Sequence, residues 1–336
     1  MPAPRRPVAE LHDLFEAGQA LGGRGLCYIR AVEASALVQD DFSRTRPFLR
    51  YAGGKRWLAA DLAAEIIEKK PKLYVEPFLG GGAVALALPM GLPKILSDIN
   101  PCLIDVWRCF QKIPGMFYSE LQSVWETYAH TKDDYLRARA DFNALIADPR
   151  PLSVRRSALF LYLNAHSFNG LWRTNRRGAY NVPFGDVKIP RSYTADEVSG
   201  YSLVLSCCDL SSEGFSKVLG DLFTRHANKT QGVLQKLRVM LEGVAVYADP
   251  PYDQTFDGYA KSGFDGQAQA DLAGRLYSLA MAGAAVWTTN ADTPWVREAY
   301  RWAQIEEIDE RHSVGSKPER RGKRGCLLIR GGAACR

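Results

Sequence analysis

The alternation of apolar and polar positions changes character near residue 46. Before it the pattern is weak: one short helical candidate, Glu10 to Ala20, is followed by Gly22-Gly23-Arg24-Gly25, and residues 1–45 read as an accessory extension. After it, a loop carrying Gly53-Gly54-Lys55 leads to a helical stretch from about Leu58 to Lys69 and then to the apolar run Leu73-Tyr74-Val75, which ends in Glu76. A glycine turn at Gly80 to Gly82, a short helix from Ala83 to Leu88 and the run Ile95-Leu96 closing on Ser97-Asp98 follow. Strand, glycine turn, helix, strand predicts a βαβ unit of a parallel sheet. The strand rhythm resumes at Val244–Ala248 and Ala284–Thr289, with a helix from about Gln267 to Met281 between them. The intervening stretch, about 130 residues, is too long for a simple connection. It is helical and basic in its first half and loop-like from Asn169 to Arg191. The expected organisation is an α/β domain made of 46–105 and 242–332, interrupted by an insertion over 106–241.

Composition narrows the class only modestly. With 336 residues, 46% hydrophobic and 24% charged, the chain can bury a sizeable core and is not compositionally disordered. A net charge of +6 is compatible with a polyanionic partner without requiring one. The seven cysteines are scattered, with no metal-ligand spacing, which predicts free thiols in a reducing cytosol and no metal site. No run approaches the ~20 apolar residues of a membrane span. A soluble, cytoplasmic protein is expected.

The residues that carry chemistry cluster after the expected strands. Asp249-Pro250-Pro251-Tyr252 follows an apolar strand and stands at its carboxyl end, where open α/β sheets bind ligands. Two prolines remove two amide donors, leaving carbonyls to accept. A carboxylate, a carbonyl and an aromatic face match a flipped adenine: Asp249 and the Pro250 carbonyl can accept from its amino group, and Tyr252 can stack on its ring. Taken alone, the same string also suits a Pro-Pro turn closing a strand. Glu76-Pro77-Phe78-Leu79-Gly80-Gly81-Gly82 fits neither the dinucleotide nor the phosphate-loop spacing, so it points to a cofactor without phosphates, or to a tight turn needing positive φ. Asp98 stands 22 positions after Glu76, near the spacing at which an acid meets ribose hydroxyls; a solvated loop acid is the alternative. The loop Tyr51 to Lys55 is uninformative without these neighbours. The segment Asn164 to Gly178 interleaves arginines with Asn, Phe and Trp, which suits either a nucleic-acid surface or a solvated basic face.

Together these pieces resemble the Dam-type, or D12-class, adenine-specific DNA methyltransferases over roughly Arg46 to Arg330. Pro47 to Lys55 resembles the family's cofactor loop, Glu76 to Gly82 its glycine motif, Asp98-Ile99-Asn100 its ribose acid and Asp249 to Tyr252 its catalytic motif. Phe168 to Gly178 with Asn181-Val182-Pro183-Phe184-Gly185 is similar to its DNA-recognition segment. The resemblance implies a Rossmann-like methyltransferase mixed sheet with helices on both faces and an inserted, mainly helical target-recognition domain. It implies S-adenosylmethionine as methyl donor, double-stranded DNA as partner, no metal, and direct in-line transfer to the 6-amino group of a flipped adenine. The catalytic residues are then Asp249, Pro250 and Tyr252. Tyr51, Lys55, Asp98 and Asp249, with Glu76, Phe78 and Gly80, are the expected cofactor contacts. Arg50, Phe168, Asn169, Leu171 and Arg173, with Arg176, are the expected DNA contacts.

Three positions depart from the family pattern. Asp186 stands where members that methylate GATC carry a basic residue, Tyr51 stands at a position commonly Trp, and Gly325-Cys326, after the basic loop Arg320 to Arg324, replaces a usual acid. The target site is left open by these residues, as are the oligomeric state and any pairing with a restriction nuclease. Methylation of the cytosine amine and a catalytically inert DNA-binding module are the alternative functions.

Overall fold

The computed structural model describes residues 47–146, 152–185, 187–188, 190–227, 241–252, 264–309 and 325–335. The Glu10 to Ala20 candidate, the 1–45 extension, Asp186 and Arg320 to Arg324 lie outside them.

Among the described residues, helix α1 (Ala59–Glu68) leads into strand β1 (Leu73–Glu76), then α2 (Ala83–Ala87), β2 (Lys94–Ser97) and α3 (Pro101–Lys112). Four helices follow: α4 (Pro114–Thr127), α5 (Lys132–Ile146), α6 (Val154–His166) and α7 (Ala195–Val204). The chain closes through β3 (Cys208–Ser211), α8 (Phe215–Ala227), β4 (Val244–Ala248), α9 (Gly266–Met281), β5 (Ala285–Ala291), α10 (Pro294–Ala299), β6 (Gln304–Ile308) and β7 (Cys326–Gly332). The strands form one mixed sheet in the order β3-β2-β1-β4-β5-β7-β6. Strands β1 to β5 are parallel, and β7 runs antiparallel to both β5 and β6. This is the doubly wound order with a reversed strand set between its last two members, the expected methyltransferase sheet.

Alternation along the strands assigns the two faces. Tyr74, Ala245, Tyr247, Ala285 and Trp287 point into a core shared with α1 to α7. Their neighbours Val75, Val244, Val246 and Val286 point into a second core built with α8 and α9. Strand β4 is buried at every position, as a central parallel strand covered on both faces must be.

The expected insertion over 106–241 is not one unit. Cys208–Ser211 within it is β3, paired in parallel with β2, and α8 packs on the second face of the sheet. Helix α3 runs across the expected boundary at residue 105. The inserted helices are therefore α4 to α7, spanning 114–204. At their centre α6 is buried along nearly its whole length, Arg156 included, as befits a helix enclosed by neighbours. Arg156 pairs with Asp105 of α3, where both side chains are under a tenth exposed. Strand β6 goes beyond the expected elements: Gln304-Ile305-Glu306-Glu307-Ile308 is an edge strand, exposed at three of its five positions.

Removing one partner of a buried ion pair strands the other charge, which typically costs about 3–5 kcal/mol. Asp105→Ala is expected to lose that much in urea denaturation, whereas Arg301→Ala, which breaks an exposed pair with Glu298 on the surface, should leave the midpoint unchanged. Equal small shifts for the two variants would show that the α3 to α6 pair does not anchor the insertion.

Candidate active site

The sheet reverses its winding between β1 and β4, and ligands bind over the carboxyl ends of strands at such a point. Glu76 ends β1 and Asp249 directly follows β4, so both carboxylates stand at this crevice.

Asp249 is held from two directions. Lys55 Nζ lies 3.0 Å from Oδ1 and 3.1 Å from Oδ2, and the Thr289 hydroxyl, on the neighbouring strand β5, donates to Oδ1 at 2.6 Å. A hydroxyl has one proton, so the 3.2 Å contact between Thr289 and Tyr247 is donated by Tyr247. Lys55 also donates to the Gly53 carbonyl at 2.7 Å and sits 4.7 Å from the centre of the Tyr252 ring. Its residue is only 4% exposed, so these partners replace water around the ammonium.

The two prolines then behave differently. The Pro251 carbonyl accepts from Gln269 Nε2 at 2.7 Å, and Asn290 donates to Gln269 Oε1 at 3.1 Å. Among the described residues, nothing donates a hydrogen bond to the Pro250 carbonyl. Past the prolines, the Tyr252 hydroxyl lies 3.0 Å from Cys326 Sγ on β7, which fixes the ring from its far end.

The glycine turn forms the opposite wall. Gly80 and Gly82 adopt φ of +46° and +62°, and a Cβ on Gly80 would lie 3.0 Å from the Tyr51 ring. On Gly82 it would lie 2.5 Å from Trp107. The turn thus needs positive φ and close approach at once. Asp98 accepts from the Gly80 and Asn100 amides, each at 2.9 Å, and Asn100 caps α3 by accepting from the Cys102 and Leu103 amides. Tyr51, Gly80, Asp98 and the start of α3 therefore form one connected wall. Phe78 turns to the second face of the sheet, where its ring stacks on Phe215 at 5.4 Å and meets Phe264 edge-on.

Charge is unevenly satisfied here. Burial raises Asp98 while its two amide partners oppose the shift. Glu76 is pushed up to about 8, chiefly by burial; the Tyr74 hydroxyl, donating at 2.8 Å, opposes this and the nearby Asp249 carboxylate adds to it.

The expected DNA contacts lie on a ribbon that follows α6. Bridges Ser167↔Phe184 and Thr174↔Tyr180 fold it back on itself. At its tip Asn175 Oδ1 accepts from the Arg177 and Ala179 amides, leaving Arg176 and Arg177 exposed. Arg173 is exposed but oriented, its Nε and Nη2 donating to the Asn181 side chain and carbonyl at 2.8 and 3.1 Å. Phe168 and Asn169 stand out on a 3-10 turn, Phe168–Gly170. Leu171 is half-buried and packs against the core beneath the ribbon, and Trp172 stacks on Phe160 at 4.9 Å, so these two do not stand out as the basic run suggests. Arg50 is exposed next to the 3-10 turn: Asn164 accepts from its amide at 3.0 Å and donates to the Arg50 and Gly170 carbonyls at 2.8 and 2.9 Å.

Residues 51–314 match the family of D12 class N6 adenine-specific DNA methyltransferases. The chain belongs to that family. A DNA adenine methylase of Haemophilus influenzae is 32% identical over 292 residues, which cover 83% of this chain and 91% of the relative. A DNA N-6-adenine-methyltransferase of Escherichia phage P1 is 30% identical across 82% of this chain and 34% of its own, longer sequence. A type II methyltransferase, M1.LlaDCHI, of Lactococcus lactis subsp. cremoris is 27% identical across 85% of this chain and 95% of the relative. These matches favour adenine over the cytosine and inert alternatives. Among the described residues of the methyltransferase, no helix is long and apolar enough to cross a membrane, and no group of three or more His, Cys, Asp or Glu is placed to hold a metal ion.

Thr289, Gln269, Asn290 and Cys326 escaped the sequence reading of the site. Polar residues closing the buried strand β5, Thr288-Thr289-Asn290, are the one signal that marks the first of them.

Glu76 supplies a pH dependence with a definite sign. The folded protein keeps a proton on Glu76 up to about 8, while an unfolded carboxylate releases it near the ordinary 4.5. Its contribution to stability is complete below that ordinary value and declines as pH rises to about 8. Thermal melts of the protein without cofactor or DNA should fall across this window less in Glu76→Gln than in the wild type; parallel profiles would refute the assignment.

Proposed function

We propose that this DNA adenine methyltransferase binds S-adenosylmethionine over the carboxyl ends of β1 and β4 and presents a flipped adenine to Asp249-Pro250-Pro251-Tyr252. The reading is carried by a fixed Asp249 carboxylate beside a Pro250 carbonyl that has no partner among the described residues. The donor set suits the cofactor. Glu76, Asp98 and Asp249 offer acceptors to a ligand with positive charge and ribose hydroxyls but no phosphate, and the Tyr51 ring and Gly80 backbone offer an uncharged wall. When bound, S-adenosylmethionine supplies a methyl group already activated on a sulfonium, so direct in-line transfer calls for no metal ion.

The residues' own work is placement. Asp249 and the Pro250 carbonyl accept the two N–H groups of the exocyclic amine, which turns its lone pair toward the cofactor side. Tyr252 covers the base, its ring held by Lys55 and Cys326. The inserted helices over 114–204 and their ribbon act as the DNA-recognition part. Arg50, Phe168, Asn169 and Arg173 face the duplex, Leu171 supports them from beneath, and Arg176 meets phosphate.

Transfer of labelled methyl groups to DNA, followed by nucleoside chromatography, tests the site. The label should appear in N6-methyladenine, and Asp249→Ala should slow transfer about 100-fold or more, the scale of losing a preorganised polar contact. A variant that methylates at the wild-type rate would remove Asp249 from the chemistry.

Arg176 makes a separate prediction. Arg176→Ala should weaken binding alike for all duplex sequences and lower the slope of log affinity against log salt by about 1. An unchanged slope would place the ribbon tip away from the DNA.

A further inference from the structure

Two loops with different tasks meet at one buried amide. Asn164, near the end of α6, is 7% exposed and has its whole side chain engaged: Oδ1 accepts from the Arg50 amide, and Nδ2 donates to the Arg50 and Gly170 carbonyls. These partners fix the orientation of the amide, since an N–H only donates and a carbonyl only accepts. Arg50 leads directly into Tyr51 and Lys55 of the cofactor loop. Gly170 closes the turn that displays Phe168 and Asn169. Gly170 also lies close against the base of the Arg50 side chain: it has φ of +63°, and a Cβ there would lie 2.5 Å from Arg50 Cβ.

We propose that Asn164 is a positioning residue that couples cofactor binding to DNA binding, an inference that rests on the roles assigned above to the 50–55 and 168–171 loops. The amide is rigid and planar, so a shift of the Arg50 backbone cannot be followed by Oδ1 and Nδ2 without loosening the bond to Gly170. Each ligand therefore favours one shared placement of both loops. Linkage then requires that DNA tighten the cofactor by the same factor as cofactor tightens DNA. Two other side chains hold this stretch from the cofactor side: Tyr193 donates to the Phe48 carbonyl at 2.6 Å, and Arg56 donates to those of Pro47 and Leu49.

The test measures the affinity of the full chain for labelled S-adenosylhomocysteine with and without unmethylated plasmid DNA. In the wild type, DNA should tighten it about 5-fold or more. In Asn164→Ala the ratio should fall to about 1, with the affinity in the absence of DNA close to wild type. Tyr193→Phe loosens the same loop without touching Gly170 and should keep the full ratio. Gly170→Ala, whose new Cβ would push Arg50 Cβ away, provides a second route to the lost ratio if Asn164→Ala does not fold. A wild-type ratio of one, a full ratio in both Asn164→Ala and Gly170→Ala, or an equal loss in Tyr193→Phe would each overturn the coupling. Loss of S-adenosylhomocysteine binding by Asn164→Ala without DNA would also overturn it, by making Asn164 part of the cofactor site. A wild type that binds neither ligand would instead sink the site reading on which the inference rests.

Discussion

A buried ammonium has to be met by acceptors from within the protein, and the way Lys55 is met organises the crevice. Its charge is answered by Asp249 and the Gly53 carbonyl, with the face of the Tyr252 ring beside it. That one contact set ties the loop before α1 to the end of β4 and fixes the orientation of the residue that follows the prolines. It also distributes charge. Three carboxylates approach the crevice and one lysine is buried among them. Asp249 has Lys55 and Thr289, and Asp98 has two backbone amides, but among the described residues Glu76 has only neutral partners, the Tyr74 hydroxyl and the Ala85 amide, against complete burial and the nearby Asp249 carboxylate. Glu76 is accordingly pushed up to about 8, chiefly by its burial.

This arrangement depends on the sheet order. Thr289 can reach Asp249 because β5 lies beside β4 in parallel register, with Ala248 opposite Thr288, so the next residues, Asp249 and Thr289, stand side by side. Asp98 can reach Gly80 because β2 flanks β1 on the other side, and the turn after β1 folds back over the end of β2. The Asp249 and Asp98 sides of the crevice thus arise from neighbouring strand ends in one sheet, and strand register sets their separation.

Features built from residues adjacent in the chain are legible in the sequence itself. The glycine turn, the acid closing β2, the Asp-Pro-Pro-Tyr run and the apolar run of β4 each show within a few positions, and each lies where expected. What escapes is of two kinds. Short elements with little apolar content leave no periodic trace: β3 is Cys208-Asp209-Leu210-Ser211 with only Leu210 buried, and β6 carries two adjacent glutamates. Contacts between distant residues leave none either, since Lys55 and Asp249 are 194 positions apart and Arg50 and Asn164 are 114 apart. Trp172 fails for a third reason. An aromatic among arginines has the same sequence signature whether it faces solvent or stacks inward, and here Phe160 offers it a partner in the core.

The inserted helices raise a mechanical question: how a segment that leaves the sheet for some ninety residues (114–204) returns with its position fixed. Helix α3 supplies the reference, since its cap Asn100 is bonded to Asp98 and the helix packs along α6. The buried pair Asp105 to Arg156 sets the register of those two helices, for a buried ion pair tolerates little sliding. Helix α6 then ends at His166, whose carbonyl accepts from the Gly185 amide, so the ribbon is pinned at both of its ends to the same helix terminus. A chain of short, buried contacts thus runs from Asp98 through α3 and α6 to the ribbon that carries Phe168, Asn169 and Arg173. Asn164 lies on it in the last turn of α6, where the loop of Arg50 and the turn of Gly170 meet.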